Sequence, residues 1–303
     1  MEAAPILADA RRAIYSAPVE EIAKLTALLR QLRTRPEGEV SRELAQTLEL
    51  LSIGRRLMGD FKSGLRDSQE SRELYAGLGD DAGVAKACIL TGNLHFCLGD
   101  YEPALVAFNE GLDMRRKLGD HKGEAGALGS IGAVFDEMKH WKEARRCYLE
   151  SLDISRGLGD RMFEARTLNN LGETNLNLGN RKVAADLCAA ALVIFQELGE
   201  TVEQVNVHNN LGRIAHADHR YEAAKMAFER AQTSAHALGL HLAEAVTRFF
   251  MAGLLADENS PFYSLPAAIR ELEELLNVAV ELDVQALAAD IKTKLSELRN
   301  RAG

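Results

Sequence analysis

Apolar residues recur every three or four positions through most of the chain, and this pattern itself repeats at a fixed interval. Apolar positions at that spacing predict amphipathic α-helices. The clearest stretch, 161–200, predicts two helices with a turn at 178–180 and a stop at 198–200. The same arrangement recurs before and after it, and its closing glycines have numbers that differ by 40: Gly79, Gly119, Gly159, Gly199 and Gly239. A fixed period of this size indicates a solenoid of stacked helix pairs.

The two ends of the chain depart from the repeat. Residues 1–40 predict two capping helices, one at 7–15 and one that begins at Pro18, since proline is tolerated in a first turn. Residues 284–303 predict one further helix, which either caps the core or links it to another domain. Terminal units of repeat arrays are usually atypical, because the outer side of each end unit lacks a neighbouring repeat.

Residues 41–283 predict six helix pairs. The first pair is degenerate, with Ser52 at the position where later pairs have glycine. The sixth pair carries a four-residue insertion within 257–263, where we expect a longer loop.

Each of the four regular units has a glycine inside its first helix and an alanine inside its second. A mid-helix glycine costs about 1 kcal/mol relative to alanine, so its recurrence needs a physical cause. We expect a neighbouring helix to approach so closely that a Cβ would block it. The glycines are Gly92, Gly132, Gly172 and Gly212, and the alanines are Ala104, Ala144, Ala184 and Ala224.

These motifs resemble the tetratricopeptide repeat, whose pattern is Trp-x2-Leu-Gly-x2-Tyr followed by Ala-x3-Phe. The matching segments are Ile131-Gly132-x2-Phe135 with Ala144-x3-Tyr148, Leu171-Gly172-x2-Asn175 with Ala184-x3-Cys188, and Leu211-Gly212-x2-Ala215 with Ala224-x3-Phe228. The resemblance covers 41–282 and implies an all-α, tetratricopeptide-like α-solenoid, a right-handed superhelix of antiparallel helix pairs. The longer period is similar to that of kinesin light chains, Pins-type polarity scaffolds, bacterial peptide-pheromone receptors and the arrays fused to bacterial nucleotide cyclases.

The charge and the apolar runs of the chain bear on its partners. A formal net charge of −9 without a basic face argues against nucleic acid as a partner. No apolar run approaches the roughly 18 residues of a membrane span, and the first residues lack the apolar core of a signal peptide. We therefore expect no membrane partner and a cytoplasmic location. Four cysteines are expected to be reduced thiols at core positions: Cys88, Cys97, Cys147 and Cys188.

The chain has no phosphate-binding loop, dinucleotide-binding glycine motif, Gly-x-Ser-x-Gly or His-Glu-x-x-His motif. We expect no catalytic activity and no cofactor. His216 and His219, with Asp218 between them, have spacing that would suit a metal only on a continuous helix. Because His219 falls at the predicted turn, we expect solvated histidines and no metal site.

In the family that the chain resembles, the first helices line a concave groove. The groove positions precede the glycine by six, three and two residues and follow it by one, four and five. The polar residues at these positions are the predicted partner-binding set: Lys86, Asn93, Asp136, Glu137, Arg166, Asn169, Asn170, Glu173, Asn177, Asn206, Asn209, Asn210, Arg213 and His216.

Six asparagines within this set fall on two adjacent first helices, although asparagine is a poor helix former. An amide offers both donors and an acceptor, which suits the main chain of an extended peptide, and groove asparagines have that role in relatives of the family. Alternatively, these asparagines are repeat consensus and hydrogen-bond neighbouring helices to each other. The adjacent charges, with Asp136 and Glu137 acidic and Arg166 and Arg213 basic, would orient a bound segment.

The sequence therefore predicts a non-catalytic protein-interaction module that holds a peptide or protein segment in its groove. The alternative is the sensory or regulatory region of a bacterial signalling protein, such as a diguanylate or adenylate cyclase, whose output domain is absent from this chain. Self-association through the terminal helices is a further expectation.

Overall fold

A computed structural model of the chain describes residues 3–282 and 284–302. Within that part of the chain it contains fifteen α-helices and no β-strand, which confirms the predicted all-α class. The chain divides into two compact units, Met1–Ile154 and Ser155–Gly303. The predicted boundary at position 283 and the outermost positions of the two predicted ends lie outside the described residues.

The first unit is built from helices that pack against their neighbours in chain order. The helices that begin in it are α1 (Ala3–Ala13), α2 (Pro18–Leu32), α3 (Glu37–Leu57), α4 (Phe61–Gly77), α5 (Asp81–Leu98), α6 (Tyr101–Leu118), α7 (His121–Glu137) and α8 (Trp141–Gly157). Leu7 of α1, Leu25 of α2 and Leu48 of α3 belong to one buried apolar cluster, so the two helices ahead of the repeats cover one side of α3.

The second unit continues the same alternation of helices. It contains α9 (Arg161–Asn177), α10 (Arg181–Leu198), α11 (Thr201–Ala217), α12 (Tyr221–Ala237), α13 (His241–Ala256), α14 (Leu265–Glu281) and α15 (Gln285–Ala302). The segment between α13 and α14 contains the predicted insertion. Leu272 of α14 and Ile291 and Leu295 of α15 lie in one buried cluster, so the last helix closes an apolar core.

A residue in the left-handed region of backbone space follows each of the helices from α3 to α12. Gly199 after α10 has φ 73°, and its N–H is bonded to the carbonyl of Gln196 in the last turn. Glycine adopts this conformation without the strain that a Cβ brings. Lys139, between α7 and α8, and His219, between α11 and α12, take the place of this glycine with φ 60° and 58°. His219 therefore lies at a turn, as predicted.

The mid-helix glycines face side chains of their own second helices. A Cβ added to Gly172 would lie 2.3 Å from the Cys188 Sγ, and one added to Gly212 would lie 2.4 Å from the Phe228 ring. Gly92 and Gly132 meet an aromatic ring in the same way. The glycines are therefore required by close packing within each pair, as the sequence predicts.

In the degenerate first pair, Ser52 occupies the glycine position of the first helix and Gly64 occupies the alanine position of the second. The Ser52 Oγ, at the glycine position, donates a hydrogen bond of 2.8 Å to the carbonyl of Gly64 on α4. Both residues are buried. The polar Oγ is thus satisfied inside the pair.

One prediction about the cysteines is wrong. Cys88, Cys147 and Cys188 are buried, and burial raises the pKa of each thiol. Cys97, which was expected in the core, is exposed. It lies in the last turn of α5.

None of the helices in the described part of the chain combines the length and the apolar character that crossing a bilayer requires.

Replacing Gly172 by leucine would force a side chain into the contact with Cys188. Overpacking of this kind should lower the free energy of unfolding by roughly 1–3 kcal/mol. Because stability in repeat arrays is set between neighbours, hydrogen exchange should accelerate chiefly in α9 and the helices packed on it. Chemical unfolding followed by circular dichroism measures the first effect, and exchange mass spectrometry the second.

Gly126 in α7 is the matched control, because no atom lies within 4 Å of a Cβ added there. Gly126→Leu should leave stability unchanged or raise it by up to about 1 kcal/mol, since leucine is a better helix former than glycine. Equal losses for the two variants would show that the glycine contact with the second helix is unimportant.

Candidate partner-binding surface

Ion pairs join the first helices α9 and α11, which pack side by side. The Arg166 Nη2 lies 2.7 Å from the Glu203 Oε1, and the Arg213 Nη1 lies 2.6 Å from the Glu173 Oε1. The guanidinium of Arg213 also lies 5.2 Å from the centroid of the Phe250 ring on α13. Arg213 therefore connects three successive first helices.

An amide contact runs beside the second ion pair. The Asn210 Nδ2 donates to the Asn169 Oδ1 at 3.1 Å, while the Asn210 Oδ1 accepts from the Arg213 Nη1 at 3.0 Å. Asn210 is only 5% exposed, so its amide is already used within the protein. This is the contact that the consensus alternative predicts for Asn169 and Asn210.

The six asparagines differ in their exposure, which the sequence did not distinguish. Asn177 and Asn206 are exposed, and Asn169 and Asn170 are half-buried. Asn209 is 4% exposed, and its Oδ1 is buried without a hydrogen-bond partner in the described part of the chain. The exposed pair and the unpaired amide of Asn209 are thus the members best able to meet a partner.

His216 is held at the end of the neighbouring first helix. Its Nε2 lies 3.0 Å from the Oδ2 of Asp257, the residue that directly follows α13. The centroid of its ring is 5.9 Å from that of the Tyr221 ring. Burial raises the pKa of Asp257, but the hydrogen bonds from the Asn259 N–H and from His216 outweigh it and hold that pKa below its usual value. His216 therefore ties α11 to the inserted loop.

Four predicted residues belong to the first unit. Lys86 and Asn93 lie on α5, with Lys86 exposed and Asn93 half-buried, while Asp136 and Glu137 end α7. The pKa of the Tyr101 phenol is raised by burial and by the neighbouring Glu137 carboxylate. The acidic pair thus lies next to the turn between α7 and α8.

The thiol of Cys188 lies beneath the amide contact. Its Sγ is 4.0 Å from the Asn169 Oδ1, and burial, together with the nearby Glu173 carboxylate, raises the pKa of Cys188 to about 12. A thiol with so high a pKa remains protonated at neutral pH and is a poor nucleophile. No group of three His, Cys, Asp or Glu side chains suited to a metal ion occurs among the described residues.

A pocket of about 360 Å³ opens between α11 and α13. It is lined by Val202, Asn206, Asn209, Leu240, Leu242, Ala243 and Val246. The predicted partner-binding set contains only the two asparagines of this lining. Among the other five, Leu240 and Ala243 stand where the repeat before has a glutamate, and Val246 stands where it has an asparagine.

Residues 163–237 match the family model of the tetratricopeptide repeat. This part of the chain carries tetratricopeptide repeats. The matched segment includes α10, α11 and α12 and nearly all of α9, and so contains most of the polar contacts of the second unit. A comparison with curated proteins gave no match to the sequence.

Solved structures extend the comparison beyond the matched repeats. The apo form of RapI aligns with a TM-score of 0.68 at 14% identity, covering 100% of this chain and 99% of that one. A Rap protein complexed with competence and sporulation factor gives 0.67 at 15% identity, covering 98% and 85%. The apo form of the quorum sensor NprR from B. thuringiensis gives 0.68 at 13% identity, covering 97% and 86%. At identities this low, the similarity shows the fold alone.

The two buried asparagines of α11 should respond differently to alanine. Asn210→Ala removes the hydrogen bond to Asn169 and should lower the free energy of unfolding by about 1 kcal/mol. Asn209→Ala removes an oxygen that has no partner and introduces a better helix former, so its change should stay within about 0.5 kcal/mol. Urea unfolding of the two variants tests this difference, and equal losses would contradict it.

Proposed function

We propose that the chain is a non-catalytic protein-interaction module that binds an extended peptide segment along the first helices α9, α11 and α13. The observation that carries the proposal is the arrangement of these helices. Exposed amides at Asn177 and Asn206 flank an ordered charge pair, and an apolar pocket adjoins them. Peptide main chain needs donors and acceptors, and its side chains need apolar recesses.

The ordered contacts would position the binding groups before a partner arrives. Arg213 is fixed by Glu173, Asn210 and Phe250 together, so little side-chain entropy would be lost there on binding. In this proposal Asn210 and Asn169 hold the helices in register, while the more exposed asparagines contact the peptide. That division modifies the prediction that all six asparagines contact a partner.

Two of the similar structures support a peptide or signalling role by their descriptions. One is a Rap protein in complex with competence and sporulation factor, and the other is a quorum sensor. Their folds align with nearly the whole of this chain, and this supports a similar role for it. The transfer of a ligand-binding role to this chain is part of the proposal.

A sensory role is the second candidate, and the similarity to the quorum sensor NprR favours it. In that case the bound segment would alter the helix pairs and the change would reach α15. Hydrogen exchange of the chain with and without its peptide separates the candidates. Protection confined to α9–α13 supports a scaffold, whereas a change of exchange in α15 supports a sensor.

A pull-down from native lysate, followed by peptide mapping, supplies the segment for quantitative binding. Replacing Asn177 and Asn206 together by alanine removes two hydrogen bonds of about 0.5–1.5 kcal/mol each. Affinity for the mapped peptide should therefore fall by roughly fivefold to 150-fold, as calorimetry would record. The helices should remain folded, because alanine is the better helix former.

The matched control is Asn109→Ala on the second helix α6. Asn109 is exposed, and its Nδ2 donates to the carbonyl of Leu105 in the same helix. Its replacement should leave peptide affinity unchanged. If the control weakens binding as much as the double variant does, the bound segment does not lie along the first helices.

A further inference from the structure

The pocket between α11 and α13 has a direct internal comparison, because the same register recurs one repeat earlier between α9 and α11. Each of its seven lining residues has an equivalent whose number is lower by 40. The equivalents are Met162, Arg166, Asn169, Glu200, Val202, Glu203 and Asn206. The comparison shows which substitutions open a recess in one place and close it in the other.

Between α9 and α11, an ion pair fills the space that corresponds to the pocket. Arg166 reaches across to Glu203 with its Nη2 2.7 Å from the Glu203 Oε1 and its Nε 2.9 Å from the same oxygen. One repeat later, Asn206 replaces the arginine and Ala243 replaces the glutamate. The shorter side chains cannot meet, and the space of the ion pair is left open.

Two further differences between these repeats make the pocket apolar. Leu240 stands where the earlier repeat has Glu200, and Val246 stands where it has Asn206. None of the seven lining residues carries a charge. A charged side chain entering here would lose its hydration without a counter-charge, whereas an aliphatic side chain would gain apolar contact.

Two apolar side chains stand among the lining residues with much of their surface in solvent. Val202 on α11 is 48% exposed and Leu242 on α13 is 47% exposed. They occupy the same register position in successive repeats, so both are near the starts of their helices. An occupant of the pocket would cover apolar surface on both.

Asn209 gives the lining an unsatisfied polar group. The residue is 4% exposed, and its Oδ1 has no hydrogen-bond partner in the described part of the chain. Leaving a buried amide oxygen without a donor is costly, because it loses its water and gains nothing in return. A donor carried in by a ligand would recover that interaction.

We propose that this pocket binds an aliphatic side chain of the partner peptide, with the main-chain N–H of that same residue donating to the Asn209 amide oxygen. The inference rests on the proposed peptide-binding function and adds a specificity to it. A volume of about 360 Å³ is at the small end of the roughly 300–1,000 Å³ range of ligand pockets, which suits one side chain with its flanking main chain.

The test uses a minimal probe, N-acetyl-leucine dimethylamide, which has one isobutyl side chain and one N–H. Titration into the full chain, followed by amide nuclear magnetic resonance, should shift the signals of α11 and α13 near Asn206, Asn209 and Ala243. Millimolar affinity is the scale expected of so small a probe. The absence of shifts, or shifts spread evenly over the chain, would overturn the proposal.

Two further probes test the chemistry of the pocket. The N-methylated analogue lacks the donor and should bind about twofold to tenfold more weakly, the factor for one hydrogen bond. N-acetyl-lysine dimethylamide should give no localised shifts because its charge has no partner in the pocket. Equal binding of the parent and N-methylated probes would remove the role of Asn209.

A pair of reciprocal variants tests the position. Asn206→Arg with Ala243→Glu should rebuild the ion pair of the earlier repeat, close the pocket and abolish the localised shifts. Stability should change little, because exposed ion pairs contribute little to folding. Arg166→Asn with Glu203→Ala should open the equivalent position between α9 and α11 without removing the original site, and so serves as the control for disturbing this surface.

The outcome for the mapped peptide separates this inference from the proposed function. If the Asn206→Arg, Ala243→Glu variant binds the peptide as tightly as the parent chain, the peptide-binding role stands, but the peptide contacts neither the pocket nor Asn206. If the parent chain binds no peptide while the leucine probe still shifts the same signals, the pocket stands and the peptide role fails.

Discussion

The close contact between a first-helix glycine and a side chain of its second helix governs the rest of the structure. Gly172 against Cys188 and Gly212 against Phe228 are approaches at which a Cβ would overlap its neighbour. Such packing sets the separation of the two helices and places the first helices side by side. The polar contacts among α9, α11 and α13 are possible only because these helices are held at fixed positions.

On this framework, the same register position has different chemistry in successive repeats. Arg166 and Glu203 close one position with an ion pair, while Asn206 and Ala243 leave the next one open. Repeats that are alike in their packing residues can therefore differ in what they present to a partner. The glycines, alanines and rings stabilise each repeat, whereas the residues between successive first helices can differ from repeat to repeat according to what they bind.

The network around Arg213 illustrates how fold and binding surface share residues. Arg213 pairs with Glu173, donates a hydrogen bond to the Asn210 Oδ1, and covers Phe250, whose ring is 5.9 Å from that of Phe228 in the core. A residue with so many fixed contacts supports the surface more than it adapts to a ligand. Asn209, whose Oδ1 lacks a hydrogen-bond partner among the described residues, has capacity left for binding.

The sequence alone determined the all-α class, the helix pairs with their 40-residue period, and the glycines of the close contacts. These follow from local periodicity and from the backbone preferences of glycine, which do not depend on distant neighbours. Only the tertiary structure decided that Cys97 is exposed, that Asn210 is bonded to Asn169, and that a pocket lies beside Asn209. The physical reason is that helical spacing gives the direction of a side chain, whereas its burial and partners depend on the neighbouring helix.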